Sequence, residues 1–302
     1  MKTIFKIMLA LMAGAMAFSA CTRELAGNLI DEQPDLSGLK SMTFTAVQEK
    51  QEGATKATID SRDIKWSTGD ALSVFDGIGN QVFSLDGKGG STSGSFKGSA
   101  ATASTYFAIY PYTEGASLRD SKIISAVLPT LQTATAGSAD PAAMLMMATS
   151  TDASTLSFKN VCAYVKVTPA FDCSGIELIS KGAENLAGTV NLDYNDGVPV
   201  AEVTANGTNY VSLTGAITSG STYYIAILPA SLESGFDVMF QIDGDYYEKG
   251  TKKVLGLSRN KVMDLGSFST SDLSPVDSDG FTIFTTAISG DEDSDSGYGI
   301  AW

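Results

Sequence analysis

Val190-Asn191-Leu192-Asp193-Tyr194-Asn195-Asp196-Gly197-Val198-Pro199-Val200-Ala201-Glu202-Val203 reads as two strands and a turn. Val190, Leu192 and Tyr194 alternate with polar residues, a period of two that suits a half-buried strand. Asp196-Gly197 provides the positive φ angles that a tight hairpin turn requires. The unit recurs at 236–248, where Asp243-Gly244 separates two strand-like runs. Asn206-Gly207 predicts a further hairpin, leading into 210–213, and the turn reading outweighs that of a glycosylation acceptor at Asn206-Gly207-Thr208. Long amphipathic helical patterns are absent. The sequence therefore predicts an all-β protein.

The same punctuation runs through the first half. Met42, Phe44 and Ala46 alternate with Thr43, Thr45 and Val47, giving a strand with β-forming residues on both faces. Short strands follow around 57–59, 72–75, 81–85, 92–96, 106–110 and 122–128. Turns fall at Thr68-Gly69-Asp70, Asp76-Gly77 and 86–90, and Pro111 ends its strand because it lacks a ladder donor. Closely spaced strands of this kind build a sandwich or a barrel. Residues 131–141, rich in Ala, Thr and Ser, read as a loop. Residues 142–148 suit either a strand or one helical turn. Residues 149–155 read as a junction, which divides the chain into 41–155 and 156–270.

Composition narrows the chemistry. The chain has 302 residues, no histidine and a formal net charge of -14. Without histidine there is no Ser-His-Asp or Cys-His arrangement, and the commonest general base and zinc ligand are missing. No carboxylate pair stands apart from turn and surface positions, and no phosphate-binding glycine loop occurs. The reading is non-enzymatic, with no cofactor and no metal. The acidic balance opposes nucleic-acid binding. Of the three cysteines, Cys162 and Cys173 follow the leader. A bridge between them is chemically allowed but fits a hairpin poorly, since the turn falls near Cys173.

The N-terminus sets the compartment. Lys2 and Lys6 give a short positive start, and Ile4 to Ala17 is an almost unbroken apolar run, closed by Phe18-Ser19-Ala20-Cys21. This is the pattern of a secretory signal peptide, too short for a comfortable membrane span. Ser19-Ala20-Cys21 resembles the bacterial lipobox. It implies a leader over 1–20 and a diacylated Cys21, with acyl chains that hold the protein on a membrane. Residues 21–40 are polar and aperiodic and read as a tether.

Five stretches in order resemble the fimbrillin family, the subunits of type V pili of anaerobic Gram-negative bacteria. They are Ile64-Lys65-Trp66-Ser67-Thr68-Gly69-Asp70-Ala71-Leu72-Ser73-Val74-Phe75, Tyr106-Phe107-Ala108-Ile109-Tyr110-Pro111 and Phe158-Lys159-Asn160-Val161-Cys162-Ala163. Tyr224-Ile225-Ala226-Ile227-Leu228-Pro229 and Asp264-Leu265-Gly266-Ser267-Phe268 complete the set. Each is by itself a strand with a turn, and Trp66 reads as a core aromatic in preference to a ligand platform. The resemblance covers roughly 41–268 and implies two tandem transthyretin-like β-sandwich domains.

It also implies a fimbrial subunit at the cell surface. In the family a lipoprotein precursor reaches the outer membrane, an arginine-specific protease removes the first strand, and a neighbour's C-terminal segment fills the groove. Carried over, the removable strand is Met42–Val47 and the cut falls after Arg62. The partners are neighbouring pilus subunits by strand exchange, the outer membrane through the lipid anchor, and a host or bacterial surface receptor. The alternative is a monomeric surface lipoprotein that binds glycan or protein.

Beyond Phe268 the residues 269–280 read as a polar linker into a C-terminal extension, 271–302. Phe281, Ile283, Phe284 and Ile288 then form a strand-like run. It is either the donor strand or a strand that packs on its own domain. Asp291-Glu292-Asp293-Ser294-Asp295-Ser296-Gly297 resembles a calcium loop, but the glycine is one position late and Trp302 stands where a bidentate Glu belongs. It reads as a solvated acidic turn.

Overall fold

In the computed structural model, which describes residues 38–50 and 65–276, the alternating segments form strands and almost no helix. The first five are β1 (Lys40–Gln48), β2 (Ala71–Phe75), β3 (Asn80–Leu85), β4 (Ser93–Ala100) and β5 (Tyr106–Tyr110). Next come β6 (Ser117–Arg119), β7 (Ile123–Leu128), β8 (Leu131–Thr133), β9 (Met146–Ser150) and β10 (Thr155–Asn160). The second half holds β11 (Ala163–Pro169), β12 (Cys173–Ser180), β13 (Ala187–Asn195), β14 (Val198–Thr208), β15 (Tyr210–Ile217) and β16 (Tyr223–Ile227). The last are β17 (Ala230–Leu232), β18 (Phe236–Ile242), β19 (Asp245–Thr251), β20 (Leu255–Leu257), β21 (Val262–Phe268) and β22 (Ser274–Val276).

The first group closes into a barrel in the order β1-β10-β9-β5-β2-β3-β4, with β4 returning to β1. Phe44, Trp66, Leu72, Val74, Phe83, Phe96, Tyr106 and Phe158 fill its interior. Gly98 of β4 pairs with Phe83 of β3 in this barrel. A Cβ on Gly98 would clash with the Val82 carbonyl oxygen, so only glycine lets β3 approach so closely.

The second half is layered. One sheet runs β22-β19-β18-β12-β15-β8, another β14-β13-β7-β6 and a third β16-β11-β21, with β17 and β20 paired separately. Its core includes Ile124, Leu128, Val165, Ile176, Leu178, Val190, Leu213, Ile225 and Phe240. Phe75, Ile109 and Met147 belong to this same core, although β2, β5 and β9 are barrel strands. These three strands are thus buried on both faces. Their nearly continuous apolar sequence, where alternation would otherwise appear, follows from that.

The hairpin turns form as expected. Asp196 and Gly197 take φ of 49° and 81°, and Asp243 and Gly244 take 52° and 94°. Other readings change. Asn206-Gly207 does not end a strand: β14 runs through Thr208, and Asn206 sits at φ 51° beside a bulge in the β13–β14 ladder. Residues 131–141 are not all loop. They contain β8, parallel to β15, where the buried Gln132 amide bonds both the N–H and the C=O of Ala226 (3.0 and 2.7 Å). A polar side chain anchors that strand, so hydrophobic content could not reveal it.

Residues 142–148 divide between a 3₁₀ turn at Pro141–Ala143 and the start of β9. Within the described residues, the stretch read as a linker after Phe268 carries regular structure over 270–276. Asp272 caps a short turn on Ser269, and β22 pairs with β19. The ladders also cross the expected boundary at 155/156. β10 lies in the barrel, whereas β7 and β8 pair with β13 and β15.

Candidate functional site

The barrel is closed by β1, the first of the described strands. β1 is antiparallel to β4 from Lys40–Ala100 to Val47–Ser93, and parallel to β10 from Thr45–Thr155 to Gln48–Phe158. Its inward side chains are Met42, Phe44 and Ala46, the last two fully buried, while Thr43, Thr45 and Val47 face out. Phe44 meets Phe83 and Tyr106 edge to face, each with centroids 5.3 Å apart. Met42 Sδ accepts from the Tyr106 hydroxyl at 3.8 Å. Trp66 donates its indole N–H to the Ala46 carbonyl (3.2 Å) and packs against Phe96, Tyr110 and Phe158. Trp66 is therefore a core aromatic, as the sequence suggested.

Removing β1 would open two consecutive edges, on β4 and β10, and an apolar slot lined by Phe83, Tyr106 and Trp66. Such an edge accepts a strand by main-chain pairing, with pockets for alternate side chains. Each large apolar side chain seated there contributes about 1.5–3 kcal/mol.

A polar cluster holds the exit of β1. Arg259, in the turn before β21, grips the Glu49 carboxylate in a two-pronged pair (2.5 and 3.1 Å), and the Asn160 N–H donates to the same carboxylate at 3.1 Å. Lys159 Nζ lies 3.4 Å away. Burial works against ionisation of Glu49, but the Arg259 hydrogen bond and charge outweigh it and hold the carboxyl below its ordinary range. Asn260 donates to the Lys50 carbonyl (2.8 Å) and accepts from Asn160 Nδ2 (2.7 Å). Asn160 and Asn260 are fully buried, with Tyr164 donating to Asn160 Oδ1 at 3.4 Å. Sequence reading missed this cluster because its members are separated by up to 210 positions.

Of the residues named from sequence, Met42–Val47 forms the expected strand. Cys21, Arg62, Phe281, Ile283, Phe284, Ile288 and the acidic stretch 291–297 lie outside the described residues. Cys162 and Cys173 are buried free thiols with no bridge, and burial pushes both up to about 12. Among the described residues no group of three or more acidic or cysteine side chains is placed to hold a metal.

No protein-family model matches the chain, and no curated protein matches it. Several solved structures are similar. A protein of Bacteroides ovatus provisionally assigned to cell adhesion aligns over 78% of this chain and 96% of its own, at 13% identity and a TM-score of 0.46. One from Bacteroides uniformis, with the same provisional assignment, aligns over 78% and 95%, at 17% identity and 0.45. A fimbrial protein of Bacteroides ovatus aligns over 77% of this chain and 53% of its own, at 11% identity and 0.33.

Proposed function

We propose that this chain is a structural or adhesive subunit of a surface fibre, joined to its neighbours by strand exchange at the β1 position. The observation that carries the proposal is the place of β1 in the ring. The first described strand closes the barrel between β4 and β10, with two of its apolar side chains fully buried. A neighbour's strand set in the same slot would recover both ladders and the apolar contacts.

In this reading the barrel and the layered sheets, not the two halves of the sequence, correspond to the tandem transthyretin-like units that the fimbrillin resemblance implies. Cys21 carries the lipid that brings the precursor to the outer membrane. Maturation is a cut after Arg62, which frees β1 together with the tether. The other arginines suit this role less well. Arg23 precedes β1, Arg119 is paired with Ile123 in the β6–β7 ladder, and Arg259 is bound to Glu49. The donor is the C-terminal segment with Phe281, Ile283, Phe284 and Ile288.

The test is treatment of the purified precursor with an arginine-specific protease. Ladders that survive SDS without heating, with a new N-terminus at Asp63, are expected. A cut protein that stays monomeric would point instead to a surface lipoprotein that binds glycan or protein on its own.

A further inference from the structure

The Glu49 cluster lies where strand exchange would disturb it. Glu49 and Lys50 lie between β1 and Arg62, so they depart with β1 when the chain is cut there. The Asn160 N–H and Asn260 Nδ2 stay behind and lose the acceptors they now hold, and Arg259 loses both Glu49 oxygens and keeps the Asn160 carbonyl at 2.9 Å. Donors so placed are costly to leave unmatched, because buried polar groups keep their desolvation cost when a partner is removed. Arg259 cannot shed its charge, and its fork matches a carboxylate.

Resting on the strand-exchange reading, we propose that Arg259, Asn160 and Lys159 form a carboxylate-recognition subsite at the end of the β1 groove. It selects the incoming strand of a neighbouring subunit. The strand it fits runs in the direction of β1 and carries Asp or Glu three residues beyond its last groove-filling apolar side chain, as Glu49 follows Ala46. The spacing occurs again in this chain's C-terminal sequence, where Asp291 follows Ile288 by three. The apolar slot supplies adhesion to any strand of the right pattern. The subsite adds register, since a strand displaced by two residues seats its apolar side chains but leaves its carboxylate out of reach.

The experiment uses the full chain with a specific protease site placed within 52–62, cut and then mixed with fluorescent peptides of the sequence 40–50. The native peptide should enter the groove and displace β1. The Glu49→Gln peptide should bind at least roughly tenfold more weakly, the loss expected for a charge-assisted pair made neutral. An Arg259→Glu protein should reverse the preference, taking a Glu49→Lys peptide over the native one. Equal entry of the native and Glu49→Gln peptides into the wild-type protein would overturn the subsite and leave strand exchange standing. Failure of every peptide to enter would overturn strand exchange and the subsite with it.

Discussion

Phe44→Ala tests how firmly β1 is seated. The ring is fully buried and meets Phe83 and Tyr106 edge to face, so nothing solvent-exposed compensates for its loss. A buried Phe cut to Ala costs about 3–5 kcal/mol, which includes the cavity left behind. At about 2–4 °C per kcal/mol for a domain of this size, the uncut chain should melt roughly 6–20 °C lower. In protein cut between β1 and β2 the same loss appears as affinity, because the fragment is then held without a covalent link. It should dissociate roughly a hundredfold to a few thousandfold more readily, at about 1.4 kcal/mol per tenfold. Differential scanning calorimetry reads the first effect, and displacement by labelled peptide reads the second. Thr43→Ala, on the exposed face, is the control and should stay within about 0.5 kcal/mol. A Phe44→Ala protein that melts like the control would refute the claim that β1 is held by its inward side chains.

Other consequences concern separate parts of the chain. Glu177 is buried on β12; its carboxylate accepts from Ser212, and its Oε1 has no partner among the described residues. Burial raises its pKa from 4.5 to about 7, so the folded state favours the protonated form. The protein should therefore be most stable below about pH 4.5 with respect to this group and lose about 3 kcal/mol as pH rises to 7. Glu177→Gln should flatten that part of the melting profile, and an unchanged profile would contradict the assignment. Cys21→Ser should abolish labelling by a fatty-acid analogue and release the protein from membranes, and persistent labelling would remove the anchor. Deleting 277–302 should leave the melting temperature nearly unchanged but stop the protein from donating a strand. A substantial drop in melting temperature would show instead that the segment packs on its own domain.

Much of the architecture was legible because it rests on local rules. The alternation in Met42–Val47, the Asp-Gly turns and the stop at Pro111 depend on a few adjacent residues, and those elements form where the sequence places them. What stayed hidden depends on partners distant in sequence. β8 is held by Gln132 reaching across to Ala226, a contact that no hydrophobic pattern announces. The ladders cross 155/156 because β2, β5 and β9 serve two cores at once, and a linear division of the chain misses that. Asn206-Gly207 carries a turn signal but is used for a bulge, since a positive φ serves either purpose. The removable role of Met42–Val47 rests on the fimbrillin resemblance alone, whereas Arg259 and Asn260, which hold the exit of β1, meet Glu49 and Lys50 only in the folded chain.

Strand exchange requires that β1 leave and that another subunit's strand take its place. The direct measurement is mass spectrometry of the soluble and polymer fractions after cleavage with an arginine-specific protease. One fragment containing 40–50 should be released free for each subunit that enters a polymer, and the polymer should lack it. Polymers that retain the fragment, or that form from uncut chain, would contradict the account.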